Sequence, residues 1–143
     1  MIEHVLNGDE ILAIIIRANY ENEGISFFTP SNFSQQLGYM KRPKGYSIAP
    51  HYHNIIERSI SLTQEVLLIK SGSVRVDFYT TSNTYLKSKI LDKGDVILLA
   101  SGAHGFEMLN DAELIEVKQG PYNEDEDKVH LVKNFSHPIV ENE

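Results

Sequence analysis

Residues 45–79 read GYSIAPHYHNIIERSISLTQEVLLIKSGSVRVDFY, and residues 90–110 read ILDKGDVILLASGAHGFEMLN. His51 and His53 are two apart on a run expected to be extended, which points both imidazoles to one side of a strand. Glu65 opens the apolar run EVLLIKSG, and His104 follows the Gly-rich punctuation of GDVILLASGAHG. The chain contains no cysteine. Three imidazoles and one carboxylate are the donors a first-row metal takes where thiolates are absent. The expectation is a metal-binding β-barrel.

Short strands extend this reading in both directions. EVLLIK and SVRVDFYT meet across Ser71 and Gly72, the spacing of a tight hairpin. YLKSKIL alternates polar and apolar residues, and VILLA, GFEML and ELIEVKQ follow it, separated by the turns DKGD, SGAH and NDA. YSIAPHYH is read as the strand carrying the His pair, with Pro50 marking an edge or a bend, while IIERSISLTQ has no clear period. Towards the N-terminus, Ile11 to Ile16 is apolar throughout and suits a strand buried on both faces. ISFFT and Leu37–Arg42 are two further candidate strands. About ten short strands without an amphipathic helix point to a closed barrel or jelly roll. NEDEDK reads as a solvated loop rather than a metal site, HLVKNF as a segment against the barrel's outside, and SHPIVENE as a loose tail.

Length and composition agree with one domain. A chain of 143 residues supports a single core without disulfides, and 41% hydrophobic with 23% charged residues is ordinary for a soluble globular protein. No domain boundary or repeat interrupts residues 1–143; the motif core spans about 45–121 and the tail 122–143. A net charge of −7 with no basic block argues against nucleic-acid binding. The apolar run ILAIII is too short to span a bilayer, and acidic residues stand where a signal peptide needs positive charge. A cytoplasmic location is expected, with no nucleic-acid or membrane partner.

The motifs resemble those of the cupin superfamily, the double-stranded β-helix (jelly-roll) proteins. Its first motif runs H-x-H, a few residues, E, six residues, G; His51-Tyr52-His53, Glu65 and Gly72 match it here. Its second runs G, five residues, P-x-G, two residues, H; Gly94-Asp95, Ala100-Ser101-Gly102 and His104 stand in these places. The chain departs from the pattern in three ways. Eleven residues separate His53 from Glu65, Ala100 replaces the proline, and only Ala103 lies between Gly102 and His104. The insertion makes Glu57 a rival acidic ligand, but Glu65 is preferred because the strand and turn that follow it are those the motif requires.

The resemblance implies an all-β cupin fold with one divalent transition metal (zinc, iron, manganese or nickel) held by His51, His53, Glu65 and His104. It further implies a small polar or carbohydrate-like ligand and isomerase- or epimerase-type chemistry. A non-catalytic metabolite-binding cupin and a metal-dependent dioxygenase are the alternatives, because fold does not choose function. It also implies a homodimer, with Ile11–Ile16 the stretch expected to be buried against a partner sheet. His4, His130 and His137 read as surface residues. Arg75 and Asp77 read as a solvent-facing ion pair of little weight. Tyr39, Phe106 and Met108 read as core packing rather than a cavity lining. Gln119 reads as turned inward with Ile115 and Val117, opposite Glu116 and Lys118.

Overall fold

The computed structural model describes residues 1–131, so His137, most of HLVKNF and the tail SHPIVENE lie outside the described residues. The described chain is all-β. Its ten strands are β1 (Ile2–Asn7), β2 (Glu10–Ile16), β3 (Gly24–Phe27), β4 (Gly38–Lys41), β5 (Glu65–Ser71), β6 (Ser73–Tyr79), β7 (Tyr85–Asp92), β8 (Val96–Leu99), β9 (Ala103–Met108) and β10 (Glu113–Lys118). One helical turn, α1 (Glu124–Asp127), follows; it is capped by Asn123 and lies exposed within the acidic run.

All strand pairing is antiparallel. A five-stranded sheet has the order β1-β2-β8-β5-β10, a three-stranded sheet the order β7-β6-β9, and β3 pairs with β4. None of the three sheets closes into a barrel. The two larger sheets share a core of Val5, Leu12, Ala13, Ile15, Leu67, Ile69, Val74, Val76, Phe78, Leu91, Ile97 and Leu99. Burying a side chain of this size contributes about 1.5–3 kcal/mol, so this layer dominates the stability of the fold. On the outer face of the larger sheet, Ile14, Ile16, Leu37 and Leu98 form a second cluster, with Tyr20, Phe28 and Phe33 packed over it.

Ile11–Ile16 is therefore not a dimer surface. All of it lies in β2, an inner strand between β1 and β8, with Ala13, Ile14 and Ile15 wholly buried by the chain's own elements. The strand that flanks it, β1, escaped the sequence reading because IEHVLN mixes charge with apolar residues, as edge strands do. Gly8 (φ +59°) makes the tight turn between them.

The expected hairpin across Ser71 and Gly72 is a corner instead. β5 belongs to the five-stranded sheet and β6 to the three-stranded one, so the chain changes sheets at Gly72. Gly72 has φ +77°, and a Cβ there would lie 2.3 Å from the Asp111 carbonyl oxygen and 2.7 Å from Asn110 Oδ1. Only glycine fits this corner. The sheets are also tied at the β1–β7 side. Arg17 donates to Glu3 (2.5 Å), to Asp95 (2.8 Å) and to the Ile90 carbonyl (2.7 Å), and Lys89 Nζ lies 3.1 Å from Glu3 Oε2.

Candidate functional site

Glu65 is the first residue of β5, paired with Leu99 of β8 on one side and Lys118 of β10 on the other. Leu99 is a core residue, and paired residues point to the same side of a sheet, so Glu65 faces the space between the two sheets. His104 pairs with Phe78, another core residue, and faces the same space from the other sheet. The two side chains meet: His104 Nε2 lies 3.3 Å from Glu65 Oε2. The contact with His104, aided by the charges of Lys118 and Lys128, holds the Glu65 carboxyl below the usual carboxylate range against the effect of burial.

Lys118 is the member of this group that sequence reading missed. Its Nζ lies 3.8 Å from Glu65 Oε1, 3.4 Å from Glu116 and 3.8 Å from Asp127, and 4.7 Å from the centroid of the Tyr122 ring. Burial disfavours its charge, but Glu116, Glu65 and Asp127 outweigh that and raise its pKa. The faces of β10 are the reverse of the sequence expectation: Ile115 and Val117 are exposed, while Lys118 shares the side of Glu65. The usable signal was polar alternation at Glu116 and Lys118, which apolar-inward reasoning puts outside. Gln119 does turn inward, but as a clamp. Its Oε1 accepts from the Gln64 backbone N–H (2.8 Å) and its Nε2 donates to Ser34 (2.6 Å), fixing the residue before Glu65.

The His pair lies elsewhere in the chain's organisation. YSIAPHYH is not a strand: residues 46–61 carry no regular structure, and every residue from 42 to 63 is exposed. His51 and His53 do stay together, with ring centroids 5.3 Å apart, and His51 Nδ1 lies 2.9 Å from the Ala49 carbonyl oxygen. Glu57 is exposed on the same segment. The four expected ligands thus form two pairs, and no group of three or more His, Asp or Glu side chains is poised for a metal among the described residues. In donor chemistry the set fits a divalent metal: three imidazoles and a carboxylate, with the Glu65–His104 pair partly buried.

Other expectations resolve by register. Phe106 and Met108 follow His104 on its face of β9, yet both are exposed because β9 is an edge strand. They line an open flank rather than a packed core. Tyr39 packs edge-on against Tyr20, with centroids 5.0 Å apart. Asp77 is buried rather than solvent-facing: it accepts from Arg75 Nε (2.8 Å) and from Ser88 Oγ, and Arg75 also donates to Glu107 of β9 (2.5 Å). His4 and His130 are exposed, as read from the sequence. A separate cavity of about 470 Å³ is lined by residues that include Glu10, Phe33, Ile60, Leu62 and Ser101. None of the described helices is long and apolar enough to cross a membrane. Comparison with protein-family models, with curated proteins and with solved structures finds no match to this chain.

Proposed function

We propose that the chain is a metal-binding cupin-like protein acting on a small polar or carbohydrate-like metabolite. The observation that carries this reading is the contact of Glu65 with His104 between the two sheets, at the positions the two motifs single out. The antiparallel two-sheet core and the Gly72 corner support a jelly-roll arrangement whose open flank, among the described residues, is the outer edge of β9. A strand formed by residues 46–53 and added along that edge would complete it and carry His51 and His53 to Glu65 and His104.

In the completed site, His51, His53, Glu65 and His104 would hold one divalent metal. Such an ion, when bound, polarises a substrate oxygen and supports isomerase- or epimerase-type chemistry. The protein's own residues bind and orient. The Glu65 carboxylate fixes the His104 ring, Lys118 supplies a positive charge beside Glu65 for an anionic or hydroxyl-rich substrate, and Phe106 and Met108 offer an apolar wall that limits water.

The test is metal analysis of protein purified without a His-tag, followed by a thermal-shift screen of sugars and small carbonyl compounds against the loaded protein. One divalent ion per chain is expected, with stabilisation by a member of that ligand class. Protein that is metal-free and takes up no zinc, iron, manganese or nickel overturns the reading.

A further inference from the structure

The cavity of about 470 Å³ is separate from the Glu65–His104 pair, and neither these residues nor Lys118 line it. Ile11 and Phe33 do line it, and both pack against the cluster on the outer face of the five-stranded sheet. The cavity therefore opens on the far side of that sheet from the Glu65–His104 contact. Part of its wall comes from the segment between β4 and β5, through residues 59–62. Ile60 and Leu62 are about half exposed there, apolar surface that a bound molecule would cover. The volume falls within the range of about 300–1,000 Å³ typical of small-molecule sites.

Gln64 is the polar group that gives this cavity a chemistry. It lines the cavity and is only 3% exposed. Its Oε1 accepts from the Gln35 backbone N–H and from Ser34 Oγ, both at 3.1 Å. A backbone N–H can only donate, so this contact fixes the oxygen end of the amide and turns its NH2 the other way. That Nε2 has no hydrogen-bond partner among the described residues, yet it is not sealed off. A donor on a nearly buried side chain is costly to leave without an acceptor, and the cavity is the open space that Gln64 borders.

Charge narrows the occupant. Asp9, in the β1–β2 turn, and Glu10, which opens β2, line the cavity, while no Lys, Arg or His does. Neither carboxylate has an ion-pair or hydrogen-bond partner among the described residues. An anion is disfavoured here and a cation favoured. No group of three or more His, Asp or Glu is poised for a metal among the described residues, so an organic cation fits better than an inorganic one. We propose that this cavity is a second binding site, taking a small primary amine that carries an apolar body and a hydroxyl or carbonyl oxygen. The ammonium lies at Asp9 and Glu10, the oxygen accepts from Gln64 Nε2, and the apolar body lies among Phe33, Ile60 and Leu62. The site needs no metal and stands whether or not Glu65 and His104 hold one.

The test is a titration of full-length, chelator-treated protein followed by ¹H–¹⁵N NMR, with three probes of one shape. 2-Amino-1-phenylethanol carries the amine, the hydroxyl and the apolar ring; 1-phenylethane-1,2-diol lacks the amine, and 2-phenylethylamine lacks the hydroxyl. The amino alcohol is expected to shift the Gln64 side-chain NH2 and the Phe33 and Ser101 amides. The diol should bind about fivefold more weakly or worse, and the amine without the hydroxyl should leave the Gln64 NH2 unmoved. Probing Gln64 from the ligand side keeps its contacts with Ser34 and Gln35 intact. The variant Asp9→Asn/Glu10→Gln changes only exposed side chains, and should weaken the amino alcohol to the level of the diol. No shift of the Gln64 NH2 up to the solubility limit of the amino alcohol overturns the proposal. Shifts centred on Glu65 and His104 overturn it too, because they place the probe between the sheets. Equal binding of the amino alcohol and the diol, or undiminished binding to the variant, overturns the assignment of an amine.

Discussion

Glu65 opens a strand whose other side chains build the core, and its carboxylate is largely shielded from water. A carboxylate there needs cationic or hydrogen-bonding partners, and His104 and Lys118 are the ones present. If the site holds a metal, Glu65→Gln keeps the shape but loses the charge, and zinc affinity measured by titration calorimetry should fall by about tenfold or more. Glu57→Gln should leave it nearly unchanged, because Glu57 is exposed on the segment between β4 and β5. Loss confined to Glu57→Gln would assign the acidic ligand to Glu57 instead. Gly72 is the second decisive residue. Gly72→Ala forces a positive-φ alanine against the Asp111 carbonyl oxygen and should cost about 2–4 kcal/mol in urea unfolding. A loss within about 0.5 kcal/mol, the range of a neutral surface change, would mean that the corner relaxes.

Among the elements, β1 and β7 are joined by charge rather than by backbone pairing. Burial opposes ionisation of Glu3, yet hydrogen bonds and charge from Arg17 and Lys89 outweigh it and leave its carboxyl below the ordinary range. A carboxyl whose folded pKa is lowered contributes stability above its unfolded pKa and loses it as pH falls through the folded value. Thermal stability should therefore drop on acidification through and below the ordinary carboxylate range. Glu3→Gln should be less stable near neutrality and show a shallower acid-side decline; an unchanged slope would assign the acid sensitivity to other carboxyls. β10 adds a different kind of edge. Ile115 and Val117 sit on its exposed side, beside the partly buried Leu68 and Val66 of β5, and so leave an apolar strip on the sheet.

For the molecule as a whole, the expected state is a homodimer. Light scattering at micromolar concentration should give about twice the chain mass of 16.2 kDa. A full-length monomer of about 16 kDa overturns this expectation. The apolar Ile11–Ile16 stretch gives no surface for a dimer, since it is covered within its own chain.

Much of the strand content was legible in the sequence because strand signals are local. EVLLIK, SVRVDFY, YLKSKIL and VILLA carry β-branched and aromatic residues, with turn residues between them, and each forms a strand close to where it was read. Glu65 and His104, singled out in the sequence by residue type and spacing, do lie in contact. Three things required tertiary structure. Whether a turn makes a hairpin or a corner depends on which sheet receives the next strand, so Gly72 was misread. Which face of β10 points inward depends on register against β5, and a shift of one residue reverses it, so Lys118 was overlooked. YSIAPHYH has the composition of a strand, but a strand exists only when another edge accepts its hydrogen bonds. Among the described residues none does so for residues 46–61, so the His pair stands on an exposed, unpaired segment rather than on a strand.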